Sequence, residues 1–94
     1  MSHAIPLAQY VTMIEDLLAN RMTAYDFSGA YFLAFQADPT MWSEDVYEPL
    51  NAVALMAEAY EPGEPTWRFD VTEEQLRDGC SERVRVLRAL RSGA

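Results

Sequence analysis

The chain has 94 residues, half of them hydrophobic, and a formal net charge of −8, which excludes nucleic acid and anionic membranes as direct ligands because like charges repel. This length is enough for one hydrophobic core and too short for two, so we expect a single domain over residues 1–94. The single cysteine cannot form an internal disulfide, and no segment is apolar enough to cross a membrane or has the layout of a signal peptide, which predicts a cytoplasmic protein.

The first predicted helix follows Pro6, a residue suited to an opening helical turn. Apolar residues then recur at spacings of four, three and four from Leu7 to Leu18, which is the period of one helix face. We therefore expect helix one to end near Asn20.

The second predicted helix opens with Thr23 and Asp26, which have the spacing of a capping pair. Aromatic and small apolar residues from Phe27 to Phe35 then line one face. Pro39 should end this helix at the preceding aspartate, because the residue before a proline disfavours helical backbone.

The third predicted helix contains a proline. Ser43, followed by two acids, is a plausible N-terminus, and apolar residues at helical spacing continue from Val46 to Tyr60. Pro49 lies inside this pattern, where a proline loses a backbone hydrogen bond and usually kinks the helix. Two interpretations stay open: one kinked helix, or a short turn followed by a helix that begins near Glu48.

A loop rich in proline separates helix three from a fourth predicted helix. Between Tyr60 and Asp70 we expect an ordered loop, with Trp67 and Phe69 packed back onto the protein. Thr72 to Gln75 then fits the capping box that opens helix four. Gly79 inside this helix costs about 1 kcal/mol relative to alanine, and we expect close helix packing to explain it.

Four amphipathic stripes can share one core, so the predicted fold is all-α, an antiparallel four-helix bundle in a single domain. No strand-like alternation or internal repeat competes with this prediction. The predicted core takes apolar residues from all four helices: Leu7, Val11, Ile14, Leu18, Phe27, Tyr31, Phe35, Leu50, Val53, Leu76, Val84 and Leu87.

No catalytic set can be assembled from the chain. The single histidine, His3, lies near the N-terminus, and Cys80 lies on the apolar stripe of helix four, where it is better explained as core filler than as a nucleophile. Zinc, di-iron and calcium ligand spacings and a glycine-rich phosphate loop are all missing. We therefore expect no enzymatic activity, no catalytic residue, no metal or other cofactor and no small-molecule substrate.

Acidic residues concentrate in the middle of the chain, where residues 38–64 hold seven acids and no base. Tyr60 lies among three of them, and an aromatic within an acidic patch is typical of a hot spot for an arginine- or lysine-rich partner. Two simpler interpretations stay open: acids that only keep the protein soluble, and a tyrosine that seals the end of helix three, as the other tyrosines are expected to lie in the core or at its boundary. The predicted partner-binding residues are Glu58, Tyr60, Glu61, Glu64 and Trp67, with Asp45 and Glu48 as outlying contributors.

Three segments carry a resemblance to a known family: the spaced aromatics between Phe27 and Phe35, the run from Met56 to Pro62, and the run from Thr72 to Arg77. In order and spacing they resemble the bacteriocin immunity proteins of the colicin D type, small four-helix inhibitors with which a toxin producer protects itself. The resemblance implies a protein that blocks the basic nuclease domain of a cognate toxin, typically a transfer-RNA-cleaving ribonuclease. It also implies that carboxylates stand where the RNA phosphates would lie.

Two binding functions therefore follow. The first is an immunity protein, a stoichiometric inhibitor of a cationic toxin domain delivered by a bacteriocin or a contact-dependent growth inhibition system, and the resemblance carries its contacts onto Glu58, Tyr60, Glu61 and Glu64. The alternative is an acidic nucleic-acid mimic that occupies a DNA-binding or defence protein. Both predict a basic partner protein, because a polyanionic surface competes for cationic sites.

Overall fold

Four helices follow one another along the chain: α1 (Leu7–Leu18), α2 (Ala24–Ala37), α3 (Glu44–Ala59) and α4 (Glu73–Gly93). The computed structural model describes residues 4–63 and 70–93, and in these residues β-type pairing amounts to one isolated bridge, between Tyr60 and Val71. Each helix packs against the next, and α4 packs back against α1. The predicted four-helix bundle is confirmed.

The end of α1 is set by an asparagine. Asn20 has a φ of 61°, a left-handed conformation that asparagine tolerates better than most residues. Its N–H donates to the Leu17 carbonyl at 3.1 Å, and the N–H of Arg21 donates to the Asp16 carbonyl at 2.8 Å. These two bonds form a Schellman motif, so the helix ends at Leu18, two residues before the predicted position.

Both predicted side-chain caps are present. The Thr23 hydroxyl accepts a hydrogen bond from the N–H of Asp26 at 3.1 Å at the start of α2. At the start of α4 the Thr72 hydroxyl accepts from the N–H of Gln75 at 3.1 Å, while the Gln75 side chain accepts from the N–H of Thr72 at 2.9 Å. Local sequence is sufficient for these caps because both partners lie within one turn.

Helix α3 is continuous from Glu44 and passes through Pro49, so the interpretation in which a helix begins near Glu48 is wrong. The Ser43 carbonyl accepts the first helical hydrogen bond, from the N–H of Tyr47 at 2.8 Å. The Pro49 ring is fully buried, and this burial compensates part of the missing backbone hydrogen bond.

The predicted core is largely confirmed, with three exceptions: Leu7, Leu18 and Phe35 are only partly buried and pack against its edge. On α1 the buried stripe instead includes Tyr10 and Leu17, both fully buried. Burial of Tyr10 depends on a residue distant in sequence. A buried hydroxyl needs a hydrogen-bond partner, and that of Tyr10 donates to the Asp38 carboxylate at 2.8 Å.

Two interior contacts set the distance of α3 from its neighbours. The Tyr31 hydroxyl of α2 donates to the Leu50 carbonyl of α3 at 3.0 Å. Between α3 and α4, a Cβ at Gly79 would overlap the thioether of Met56. The expectation that Gly79 permits close helix packing is confirmed.

Candidate functional site

Three carboxylates share one exposed side of α3. Glu44, Glu48 and Glu58 are all exposed and lie within about 80° of one another around the helix axis, at 3.6 residues per turn. Asp45, also exposed, lies about 60° beyond Glu48 on the same turn. We call these four residues the α3 acids.

The α3 acids have no cationic partner within residues 4–63 and 70–93. Where the structure describes the chain, carboxylates and arginines pair at four places: Asp16 with Arg21, Glu73 with Arg77, Glu82 with Arg83, and Glu15 with Arg88. None of these pairs involves α2 or α3. Residues 22–67 also contain no lysine, arginine or histidine, so neither helix supplies a base of its own. The α3 acids are therefore exposed and not neutralised by any group in the described part of the chain.

The segment after α3 is held by backbone contacts. The N–H of Val71 donates to the Ala59 carbonyl, and the N–H of Glu61 donates to the Val71 carbonyl, both at 2.9 Å. Glu61 is partly buried, and its carboxylate accepts the N–H of Gly63 at 3.3 Å on the surface. Glu58 is exposed and has no such bond within the described residues, so it is the freer of the two carboxylates.

Tyr60 is half-buried and packs against the edge of the core. Burial raises the pKa of its hydroxyl, and the neighbouring Glu73 raises it further while Arg77 opposes the shift. This placement agrees with a residue that seals the end of α3, and the same side chain also lines a surface groove. Glu64, Trp67 and the loop that holds them lie outside the described residues.

Apolar side chains cover the outer side of α2 and α3. Tyr25 and Leu33 on α2 are 70% and 64% exposed, and Leu55 on α3 is 57% exposed. Along its 14 residues α2 carries one charged residue, Asp26, so apolar groups occupy both its inner and its outer side. Tyr25 is an exception to the expectation that the tyrosines mostly lie in the core or at its boundary.

Two shallow grooves run between α2 and α3. The first, the end groove, has a volume of about 360 Å³ and lies between Tyr25, Ser28, Gly29 and Phe32 of α2 and Glu58 and Tyr60 at the end of α3. The second, the side groove, has a volume of about 380 Å³ and is lined by Phe32, Gln36, Trp42, Tyr47, Asn51 and Glu58. Because Phe32 and Glu58 border both grooves, one α3 acid stands where they meet.

The comparison with known families places the chain in one of them. The family model for bacterial self-protective colicin-like immunity matches residues 5–87, which include all of α1, α2 and α3 and most of α4. The chain belongs to this family. This confirms the resemblance to bacteriocin immunity proteins and makes the chain a self-protective immunity protein that acts against a toxin. Searches of curated proteins and of solved structures find no significant match.

The partner of this immunity protein is accordingly a cognate toxin protein. Membership of an immunity family also points to an inhibitor rather than an enzyme. Its surface combines exposed acids with exposed aromatics, the composition of an interface whose apolar centre is surrounded by charge. Sequence reasoning named the acids of α3 as candidates but did not name the exposed apolar residues beside them, whose signal was the near absence of charge along α2.

Two other ionisable side chains of the immunity protein, Cys80 and Asp38, have structural roles. Cys80 is fully buried, and burial raises the pKa of its thiol to about 12, so the thiolate is scarce at neutral pH and the predicted core role is confirmed. Burial opposes ionisation of Asp38, yet hydrogen bonds from the Thr40 hydroxyl and N–H and from Tyr10 lower the pKa of this carboxyl.

Two kinds of site are absent from the described residues. Histidine, cysteine and acidic side chains in that part of the chain form no group of three that could hold a metal ion. No described helix has the length and hydropathy needed to span a membrane.

Proposed function

We propose that the immunity protein inhibits its toxin by binding a basic nuclease domain, with a transfer-RNA-cleaving ribonuclease as the favoured target. The observation that carries this proposal is the set of α3 acids without cationic partners in the described residues. A ribonuclease must hold a polyanionic substrate, so its active site is cationic, and carboxylates held on a rigid helix can compete for it. Inhibition would then need no chemical step.

The contact surface that we propose combines the α3 acids with the two grooves beside them. Rim carboxylates steer a basic partner and set the register, whereas desolvated aromatic contacts supply most of the affinity. A complex of standard size would bury about 1,600 Å² in total, and the outer sides of two helices offer this kind of area. Glu58 is central because it borders both grooves.

The test begins with the partner. A tagged immunity protein is purified from its native host, the co-purifying protein is identified by mass spectrometry, and its toxic domain is produced as an inactive variant for binding measurements. We expect a one-to-one complex, a basic partner surface, and an association rate that falls as salt rises. In a separate transfer-RNA cleavage assay, the active toxin domain should lose its activity when an equimolar amount of immunity protein is added.

The outcomes separate the alternatives. A partner domain with a neutral or acidic surface, or an association rate indifferent to salt, would argue decisively against electrostatic inhibition. Recovery of a DNA-binding or defence protein in place of a toxin would favour the nucleic-acid mimic. A toxin domain that cleaves DNA or another RNA would keep the mode of inhibition and change only the substrate.

A further inference from the structure

We infer that the end groove holds the side chain of one arginine from the toxin's basic domain. This inference rests on the proposed function and adds to it the type of anchoring residue and its place. The end groove is the part of the surface where apolar, anionic and hydrogen-bonding groups converge.

The shape of the groove suits a single long side chain. Ser28 and Gly29 are small residues on the α2 side, flanked by Tyr25 and Phe32. A Cβ placed on Gly29 would meet no atom within 4 Å, so this part of the groove is open above the backbone. The volume of about 360 Å³ is near the lower limit for ligand pockets, about 300 Å³, which fits one side chain better than a folded element.

The chemistry of the groove matches a guanidinium group. Tyr25, 70% exposed, and Phe32 offer ring faces on which a planar cation stacks. Glu58, which has no ion-pair partner in the described residues, supplies a carboxylate for two parallel N–H bonds.

A buried hydroxyl beside this groove lacks a partner. Ser28 is only 7% exposed, and its Oγ forms no hydrogen bond with any group in the described structure. Buried polar atoms are normally paired, and a hydroxyl both donates and accepts, so an occupant of the groove that brings a hydrogen-bonding group would satisfy it. An arginine has five N–H donors in a fixed fork, so one of them can serve the hydroxyl oxygen while others bind the carboxylate.

Arginine fits this groove better than the other possible occupants. Lysine carries a compact and strongly hydrated charge that stacks poorly on aromatic rings. A second copy of the chain would bring its own net charge of −8 toward the same acids. A purely apolar side chain would leave Ser28 and Glu58 without partners.

The first test uses a peptide probe. The ¹⁵N-labelled full chain is titrated with acetyl-Gly-Arg-Gly-amide, with the lysine counterpart, and with the citrulline counterpart, which keeps the shape of arginine without its charge. We expect saturable shifts at the amides of Ser28, Gly29 and Glu58 with arginine, weaker binding with lysine and none with citrulline.

The second test uses a matched pair of substitutions on α2. Gly29→Leu fills the open part of the groove, whereas Ala30→Leu places the same side chain on the next exposed position, outside the groove. The spectra first confirm that both variants are folded. Gly29→Leu should then weaken binding of the arginine peptide about tenfold or more, and Ala30→Leu should leave that affinity unchanged. Affinity for the inactive toxin domain should follow the same order.

Failure of this inference is distinguishable from failure of the proposed function. Peptide shifts confined to Glu44 and Glu48, or equal binding by Gly29→Leu and the wild type, would overturn the groove assignment while leaving electrostatic inhibition intact. Equal binding of arginine and citrulline peptides would overturn it as well. Sedimentation that shows a dimer of the wild type, abolished by Gly29→Leu, would assign the groove to a second copy. A toxin domain without a basic surface would instead remove the proposed function itself.

Discussion

Helices α1 and α3 both carry exposed or half-exposed acids, but they use them differently. On α1, Glu15 pairs with Arg88 of α4 at 2.7 Å and Asp16 pairs with Arg21 at 2.8 Å. On α3, the α3 acids have no such partner in the described residues. Acids therefore hold neighbouring elements together on α1, whereas on α3 they stay unpaired within the described residues.

The distribution of arginine explains this difference. The chain has no lysine, and two arginines of α4 contact α1: Arg88 pairs with Glu15, and Arg77 donates to the Leu17 carbonyl at 2.7 Å. Since α1 and α3 flank α4 on either side, proximity alone does not decide which acids are neutralised. Neither α3 nor α2, against which it packs, contributes a base, and of the α3 acids Glu58 borders the grooves shared with α2.

The largest expected effect is on affinity for the toxin, when one acid of α1 or one of the α3 acids is replaced by lysine. Glu58→Lys should weaken the toxin complex by about 3–5 kcal/mol, because it removes a pairing and adds a repulsion, while Glu15→Lys should weaken it by less than about 1 kcal/mol. Affinities of both variants are measured at physiological salt after each is shown to be folded. If Glu15→Lys proved the more damaging change, the binding site would lie on the α1 side.

A second pair of substitutions compares the two sides of α2. Phe27→Ala, in the core, should lower the free energy of unfolding by about 3 kcal/mol or more through lost burial and a cavity, whereas Tyr25→Ala should change it by about 0.5 kcal/mol or less. Urea unfolding followed by circular dichroism measures both. Equal melting of Phe27→Ala and the wild type would contradict the assigned core, and a strongly destabilised Tyr25→Ala would mean that this ring supports the fold.

A third prediction concerns the hydrogen bond that joins α1 to the end of α2. Tyr10→Phe should lower stability near neutral pH by about 1–2 kcal/mol, since it removes a donor to the ionised Asp38. Because the folded-state pKa of Asp38 is lowered, its contribution is present above the ordinary value of 3.8 and is lost as the pH falls through the folded pKa. The stability difference between Tyr10→Phe and the wild type should therefore narrow in acid.

The matched control for that prediction is Tyr25→Phe, which removes a hydroxyl from an exposed ring on α2. Its stability relative to the wild type should not depend on pH. A Tyr10→Phe difference that stayed constant down to strong acid would show that Asp38 is not the relevant acceptor.

The smallest expected effect is the change in unfolding free energy when a single carboxylate of α1 or α3 is neutralised. Glu15→Gln breaks the ion pair with Arg88 and should cost about 0.5 kcal/mol, reduced further at high salt, because both side chains are partly exposed. Glu58→Gln, without a described ion pair to lose, should leave the unfolding free energy within about 0.3 kcal/mol. Chemical denaturation at low and high salt provides both values, and a larger loss for Glu58→Gln would mean that the carboxylate has a structural role.

Local sequence was sufficient for the features whose partners lie within one helical turn. The caps at Thr23 and Thr72 and the end of α2 before Pro39 were all predicted correctly for this reason. Burial of Tyr10 was not predicted, because it depends on Asp38, 28 residues away. The effect of Pro49 on α3 was ambiguous from the sequence. The lost backbone hydrogen bond can be read from the sequence, whereas the burial of the ring that compensates part of it cannot.

The sequence by itself determined the helical bundle, the family, and the concentration of acid between residues 38 and 64, since periodicity, capping and charge are properties of the chain. Only the tertiary structure decided which of these acids have intramolecular partners, and it placed Glu58 beside Tyr25, Ser28 and Gly29. The physical reason is that ion pairs and grooves form between helices, so they depend on how faces distant in sequence are brought together by the shared core.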